Sequence, residues 1–186
     1  MRRRRFLALL PAGSLAWALA PRALAATGAP ATPVAQLQQN WKTLLAPGAN
    51  VALTTAALTK SESEWKQTLD GPRFMVLRQE GTERPYSSPL NDEKRQGVFV
   101  CAGCSLPLFT SAMKYDSGTG WPSFFTLIPD HLATREDFKL IIPRTEYHCV
   151  RCGGHQGHVF DDGPQPTGLR YCNNGLALKF IPLRGA

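Results

Sequence analysis

The chain has 186 residues, with 21 lysines and arginines against 14 acids and a formal net charge of +7. Five of the arginines (2, 3, 4, 5 and 22) and no acid fall within residues 1–25, so +7 less those five leaves +2 for the remainder. A charge that small gives no reason to expect a nucleic-acid partner, and about 160 residues suit one domain with a modest core.

Arg2 to Arg5 precede the apolar run Phe6–Leu10, which Pro11 and Gly13 interrupt and residues 14–20 resume. Ala23-Leu24-Ala25 then offers a small-x-small cleavage site. A charged start, a short apolar stretch and such a site make a signal peptide over residues 1–25. Arginine doublets directly before Phe-Leu match the twin-arginine export signal of bacteria. The expected address is therefore the periplasm, and the export machinery an expected partner. The alternative is an uncleaved membrane tether, for which a run broken by Pro11 and Gly13 is poorly suited.

Residues 26–60 read as linker and weakly ordered segment: Thr27–Pro33 is low in complexity, and only Gln36–Trp41 suggests a short helix. Ser61 to Leu69 is a clearer helix. Ser61 can cap it, Glu64 three residues on completes a capping box, and Trp65 and Leu69 share a face. Asp70-Gly71-Pro72 ends that helix and starts a second one through Phe74–Arg78. Residues 78–85 are expected to form an exposed loop. The working domain spans 61–186.

Beyond Gly97 the pattern changes. Short strands are expected at Val98–Cys101, Phe138–Ile142, Thr145–Cys149 and Gly168–Cys172, and in the alternating stretch Leu176–Ile181. Turn residues interrupt the chain at short intervals, without a long amphipathic helix or βα alternation. The expected fold is mostly β and mostly antiparallel, with a small helical N-terminal layer.

Cys149 to Asn174 (CVRCGGHQGHVFDDGPQPTGLRYCNN) gathers most of the candidate chemistry and, with five glycines and two prolines, reads chiefly as loop and turn. Of the chain's five cysteines, Cys101, Cys104, Cys149 and Cys152 make two Cys-x-x-Cys pairs. Two such pairs fit a four-thiolate zinc site on tight knuckle turns. In an exported protein, disulfides are the competing reading. Cys172 is left over. With Arg170 two residues away it can be a nucleophile, and as a buried apolar residue it can equally be core. His155 and His158 are candidate proton donors or satisfied loop histidines. Trp121, on a loop bent by Gly118 and Gly120, is either an apolar wall for a small sulfur or methyl group or a core plug.

The pieces Cys101-Ala102-Gly103-Cys104, Tyr115-Asp116-Ser117-Gly118-Thr119-Gly120-Trp121-Pro122-Ser123-Phe124, Arg151 to Pro164 and Gly168-Leu169-Arg170-Tyr171-Cys172 follow one another in order. This series closely resembles the B-type methionine sulfoxide reductases, from about Ser63 to Pro182. Gly81-Thr82-Glu83-Arg84-Pro85 belongs to the same resemblance. It implies two antiparallel sheets packed as a β-tent, a structural zinc on Cys101, Cys104, Cys149 and Cys152, and Cys172 as the thiolate that attacks the sulfoxide sulfur. His155 and His158 would hold or protonate the sulfoxide oxygen, Trp121 would cover the methyl group, and Arg170, Asn174 and Asp162 would position and polarise these groups. The implied reaction reduces the R epimer of methionine sulfoxide in oxidised proteins or peptides. A thioredoxin-like or other thiol reductant would clear the resulting sulfenic acid, and the enzyme would be a monomer.

The chain departs from the family pattern in two places. Thr119 stands where many relatives carry a recycling cysteine, and Asn173-Asn174-Gly175 replaces a more usual apolar residue, Asn and Ser. Two other classes share part of the pattern. A zinc-ribbon binding module would have no use for Cys172, His155 or Trp121. A thiol–disulfide oxidoreductase would need a βαβ unit that is not seen.

Overall fold

The computed structural model describes residues 33–139 and 143–183. The signal-peptide reading of residues 1–25 lies outside them. Among the described residues no helix is long and apolar enough to cross a membrane.

Among the described residues three short α-helices come first: α1 (Pro33–Gln39), α2 (Glu62–Thr68) and α3 (Gly71–Gln79). The capping box of α2 is formed: the Glu64 N–H donates to Ser61 Oγ, and the Ser61 N–H donates to the Glu64 carboxylate (2.7 Å). These bonds satisfy donors that no helical carbonyl can reach. Asp70 caps α3 in the same way, accepting from the Arg73 N–H (2.8 Å) with Pro72 in the first turn. The two helices bury Trp65, Phe74, Val76 and Leu77, and α3 packs on the strand that carries both candidate histidines.

Among the described residues nine strands follow: β1 (Gly97–Cys101), β2 (Pro107–Thr110), β3 (Lys114–Tyr115), β4 (Ser123–Phe124), β5 (Leu132–Asp137), β6 (Arg144–Cys149), β7 (His155–Phe160), β8 (Arg170–Asn173) and β9 (Leu178–Pro182). They form two antiparallel sheets, ordered β2-β1-β9 and β3-β4-β8-β7-β6-β5. An aromatic seam joins the sheets. Phe109 of the small sheet stacks on Phe124 of the large one with ring centroids 4.0 Å apart, and Phe99 meets Phe124 edge to face. Tyr147 and Tyr171 extend the seam. Burying rings of this size contributes most of what a domain this small gains on folding.

The mostly β, two-sheet expectation holds. Individual elements differ from the reading of the chain. No strand covers 138–139, and 140–142 lie outside the described residues; the strand is Leu132–Asp137 instead. As the polar edge of the large sheet, β5 lacks the apolar alternation that marks a half-buried strand, as suits an edge that must resist pairing with another chain. The histidine stretch is strand β7 rather than loop. Gly157 within it permits a close approach of β8, since a Cβ there would lie 1.9 Å from the Cys172 carbonyl oxygen. At the C-terminal end, Gly175–Ala177 is a 3-10 turn and the strand starts only at Leu178.

The segment before residue 60, expected to be weakly ordered, makes specific contacts with the domain. Trp41 is buried edge-on against the His131 ring. Ala52 N–H donates to the Ser105 carbonyl (2.9 Å) and Leu58 N–H to the Arg151 carbonyl (2.6 Å). Arg151 Nη1 returns bonds to the Thr54 and Ala56 carbonyls.

Candidate active site and metal centre

Strands β7 and β8 run antiparallel with His158 paired to Cys172 and Gly157 to Asn173. Directly opposed residues on an antiparallel pair share a face, about 5 Å apart at Cβ. Both side chains open into a cleft of about 270 Å³, which Trp121, Thr119, Arg170 and Asn174 also line. Five of the seven expected active-site residues thus meet in one place. His155 lies beneath the cleft, its ring centroid 5.5 Å from that of His158, and Asp162 sits behind Arg170.

Cys172 is half-buried, and that burial pushes its thiol above the ordinary range; the Arg170 charge and the Thr119 hydroxyl pull in the other direction. Arg170 is held by a two-pronged pair with Asp162 (2.7 and 2.8 Å) and lies over the Phe160 ring, 4.2 Å from its centroid. A guanidinium fixed on two sides keeps its charge beside the thiol at little further entropy cost. Asp162 therefore acts through Arg170 rather than on the cleft, and its carboxyl is depressed chiefly by the bond from Arg170.

Each histidine has a carboxylate partner that the motifs do not reveal. His155 Nδ1 bonds Glu146 Oε1 (2.7 Å), while its Nε2 is buried without a partner. His158 Nε2 bonds Asp137 Oδ2 (2.7 Å). Glu146 also binds His148 Nδ1 and Arg135 Nε, both at 3.0 Å. Burial alone would raise the Glu146 carboxyl, but the bonds from His148 and His155 outweigh it and bring it to about 2. Asp137 is likewise held well below the usual carboxylate range, first by the Lys139 backbone N–H and then by His158. His158 itself is lowered by burial, against the pull of Asp137. The cleft thus holds a carboxylate-oriented, neutral-leaning imidazole beside the thiol. Glu146 and Asp137 lie in β6 and β5, far from the histidines in sequence, so only strand pairing brings them there.

Three bonds hold the side chain and backbone N–H of Asn174. Its Oδ1 accepts from the Glu83 N–H (3.0 Å), and its Nδ2 and backbone N–H both donate to the Gln156 carbonyl (3.0 and 2.8 Å). The Trp121 indole N–H donates to the Glu83 carbonyl (3.2 Å), which sets the ring at the edge of the cleft.

The four remaining cysteines form a second constellation. Their sulfurs lie within 4.8 Å of one another, with Cys101–Cys152 at 3.6 Å and Cys104–Cys149 at 3.5 Å. All are free thiols rather than disulfides. The two knuckles repeat one geometry. Ser105 N–H donates to the Cys101 carbonyl and Gly153 N–H to the Cys149 carbonyl, both at 2.8 Å, and both donor residues have positive φ (59° and 67°). Four sulfurs around a tetrahedral zinc with bonds near 2.3 Å sit about 3.8 Å apart, so the donor set and its spacing fit that ion.

Comparison with known proteins adds a second line. Residues 69–182 match the SelR domain. The chain belongs to the SelR-domain family, that of the B-type methionine sulfoxide reductases. It is similar to the peptide methionine sulfoxide reductase MsrB of Methanosarcina barkeri, 51% identical over 125 residues that cover 67% of this chain and 88% of the relative. The MsrB of Hahella chejuensis is also 51% identical, over 122 residues covering 65% and 88%. That of Agrobacterium fabrum is 44% identical over 132 residues, covering 70% and 98%. The SelR domain as matched contains both knuckles, the cleft, Glu83, Asp137 and Glu146. The contacts of residues 33–60 with the knuckles lie outside it.

Proposed function

We propose that this protein reduces the R epimer of methionine sulfoxide in oxidised proteins or peptides, with Cys172 as nucleophile. The pairing of His158 with Cys172 on one cleft, beside Trp121, is the observation that carries the reading. Sulfoxide oxygen is a poor leaving group until it gains a proton, so attack by sulfur needs an acid at the same point. A chiral sulfur is discriminated only if its oxygen and its methyl are fixed separately. His158, oriented by Asp137, would serve the oxygen; His155, oriented by Glu146, supports it from below; Trp121 would cover the methyl. Arg170 favours the thiolate as the Cys172 proton departs.

The step balances without further reagents: sulfoxide and thiol give thioether and Cys172 sulfenic acid, the oxygen moving from substrate sulfur to enzyme sulfur. Two external thiols then return Cys172 to the thiol and release water and a disulfide. A reductant such as a thioredoxin-like protein suits this second stage, because Thr119 stands where a recycling cysteine would. Zinc at Cys101, Cys104, Cys149 and Cys152 would cross-link the two knuckles and contribute folding energy rather than chemistry. The amino-terminal pattern supports export to the periplasm by the twin-arginine route, which accepts folded cargo, so the metal would be loaded beforehand.

The deciding experiment measures turnover of the two epimers of a methionine sulfoxide peptide, with zinc counted in the same sample. Turnover of the R epimer alone, abolished by Cys172→Ser while zinc stays bound, is the expected result. Equal use of both epimers, or activity surviving the substitution, refutes the reading.

A further inference from the structure

Glu83 lies in the loop between α3 and β1, is 6% exposed, and has no part in the chemistry above. Four of its hydrogen bonds end on the site. Its backbone carbonyl accepts from the Trp121 indole and its backbone N–H donates to Asn174 Oδ1. Its carboxylate accepts from the Gly175 N–H at Oε1 (2.6 Å) and the Leu176 N–H at Oε2 (2.8 Å), the two residues after Asn174. The wall that faces the substrate methyl and the turn that follows the nucleophile strand are thus pinned to one residue.

The turn has little room to adjust by itself. A Cβ at Gly175 would lie 1.9 Å from Ser88 Oγ and 3.2 Å from Glu83 Oε1. Burying a carboxylate is costly unless its oxygens are hydrogen-bonded, and here both accept from backbone donors that would otherwise be stranded. A carboxylate suits the place because it is acceptor on both oxygens, whereas an amide would turn an NH₂ towards one of the two N–H groups.

We propose that Glu83 is a positioning residue for the reductase reaction, setting the separation between Trp121 and the Asn174 turn across the cleft. Any displacement of the turn is passed to Cys172 two residues earlier, and any displacement of residue 83 is passed to the ring that discriminates a methyl group. The inference rests on Cys172 being the nucleophile, which Cys172→Ser tests separately.

The test compares Glu83→Gln and Glu83→Ala with the parent protein. It reads zinc content, kcat and KM for a methyl sulfoxide peptide and its ethyl homologue, and the rate of Cys172 alkylation. The expected Glu83→Gln protein keeps its full zinc, loses on the order of 100-fold in kcat/KM as misplaced groups do, and discriminates less between methyl and ethyl. Its Cys172 alkylation rate differs from that of the parent. Unchanged kinetics in a zinc-loaded Glu83→Gln protein overturn the proposal. So does a uniform loss with the methyl-to-ethyl ratio intact, and so does loss of fold and zinc in both variants, which would leave Glu83 a structural residue only.

Discussion

His158 and Cys172 are paired residues across the ladder between β7 and β8, so an imidazole and a thiol share one face of the sheet. The thiol is raised by burial and the imidazole is lowered by it. Both partners therefore lean to their neutral forms in the free enzyme. Alkylation by iodoacetamide should be slow at neutral pH and climb through pH 9 and beyond, since only the thiolate reacts. Arg170→Ala should move that rise to still higher pH. A plateau already reached below pH 8 would show a thiolate formed in advance.

Thr119 lines the same cleft, and its hydroxyl favours the Cys172 thiolate. The other four cysteines are gathered around one another in the metal centre. After a single turnover without reductant, the parent protein should react with a sulfenate-specific probe at Cys172. Thr119→Cys should instead form a disulfide between the introduced thiol and Cys172, found by non-reducing peptide mapping. A disulfide between Cys172 and any knuckle cysteine in the parent would contradict the external-thiol route.

Glu146 is buried and its carboxyl lies at about 2, below the ordinary 4.5. A depressed carboxyl adds stability that is fully present above its unfolded value and is lost as pH falls through the folded one. Glu146→Gln leaves polar partners buried and should cost about 1–3 kcal/mol at pH 7. The gap in urea midpoint between parent and variant should therefore narrow between pH 5 and pH 2. A gap that stays constant over that range would exclude this linkage.

Gly157→Ala tests the ladder itself. Its Cβ would meet backbone, the Cys172 carbonyl, which cannot swing aside as a flexible side chain could. Strand separation should cost about 1–3 kcal/mol, in the range of an overpacked core, and should lower turnover because His158 and Cys172 part with the strands. Thermal unfolding and kcat measured on one preparation check both. A variant as stable and as fast as the parent would mean that the ladder tolerates widening.

What could be read from the chain was what is encoded locally. The Ser61 and Asp70 caps, the knuckle spacing and the short strands at 98–101 and 145–149 all announce themselves within a few residues. What escaped depends on pairing between distant segments. The polar edge strand Leu132–Asp137 has no apolar rhythm, and the glycine in His155–Phe160 disguises a central strand. Asp137 and Glu146 gain meaning only when β5 and β6 bring them to the histidines. Glu83 stands in the Gly81–Pro85 motif, but its bonds to Trp121, Asn174, Gly175 and Leu176 join segments far apart in the chain, which the motif does not reveal.

The chain ahead of the SelR domain is fastened to both knuckles, through Ser105 just past Cys104 and through Arg151 between Cys149 and Cys152. A motion that drew one knuckle from the other would strain these bonds. The setting of the four-thiol cluster in this protein is thus partly made by residues that the matched domain does not contain.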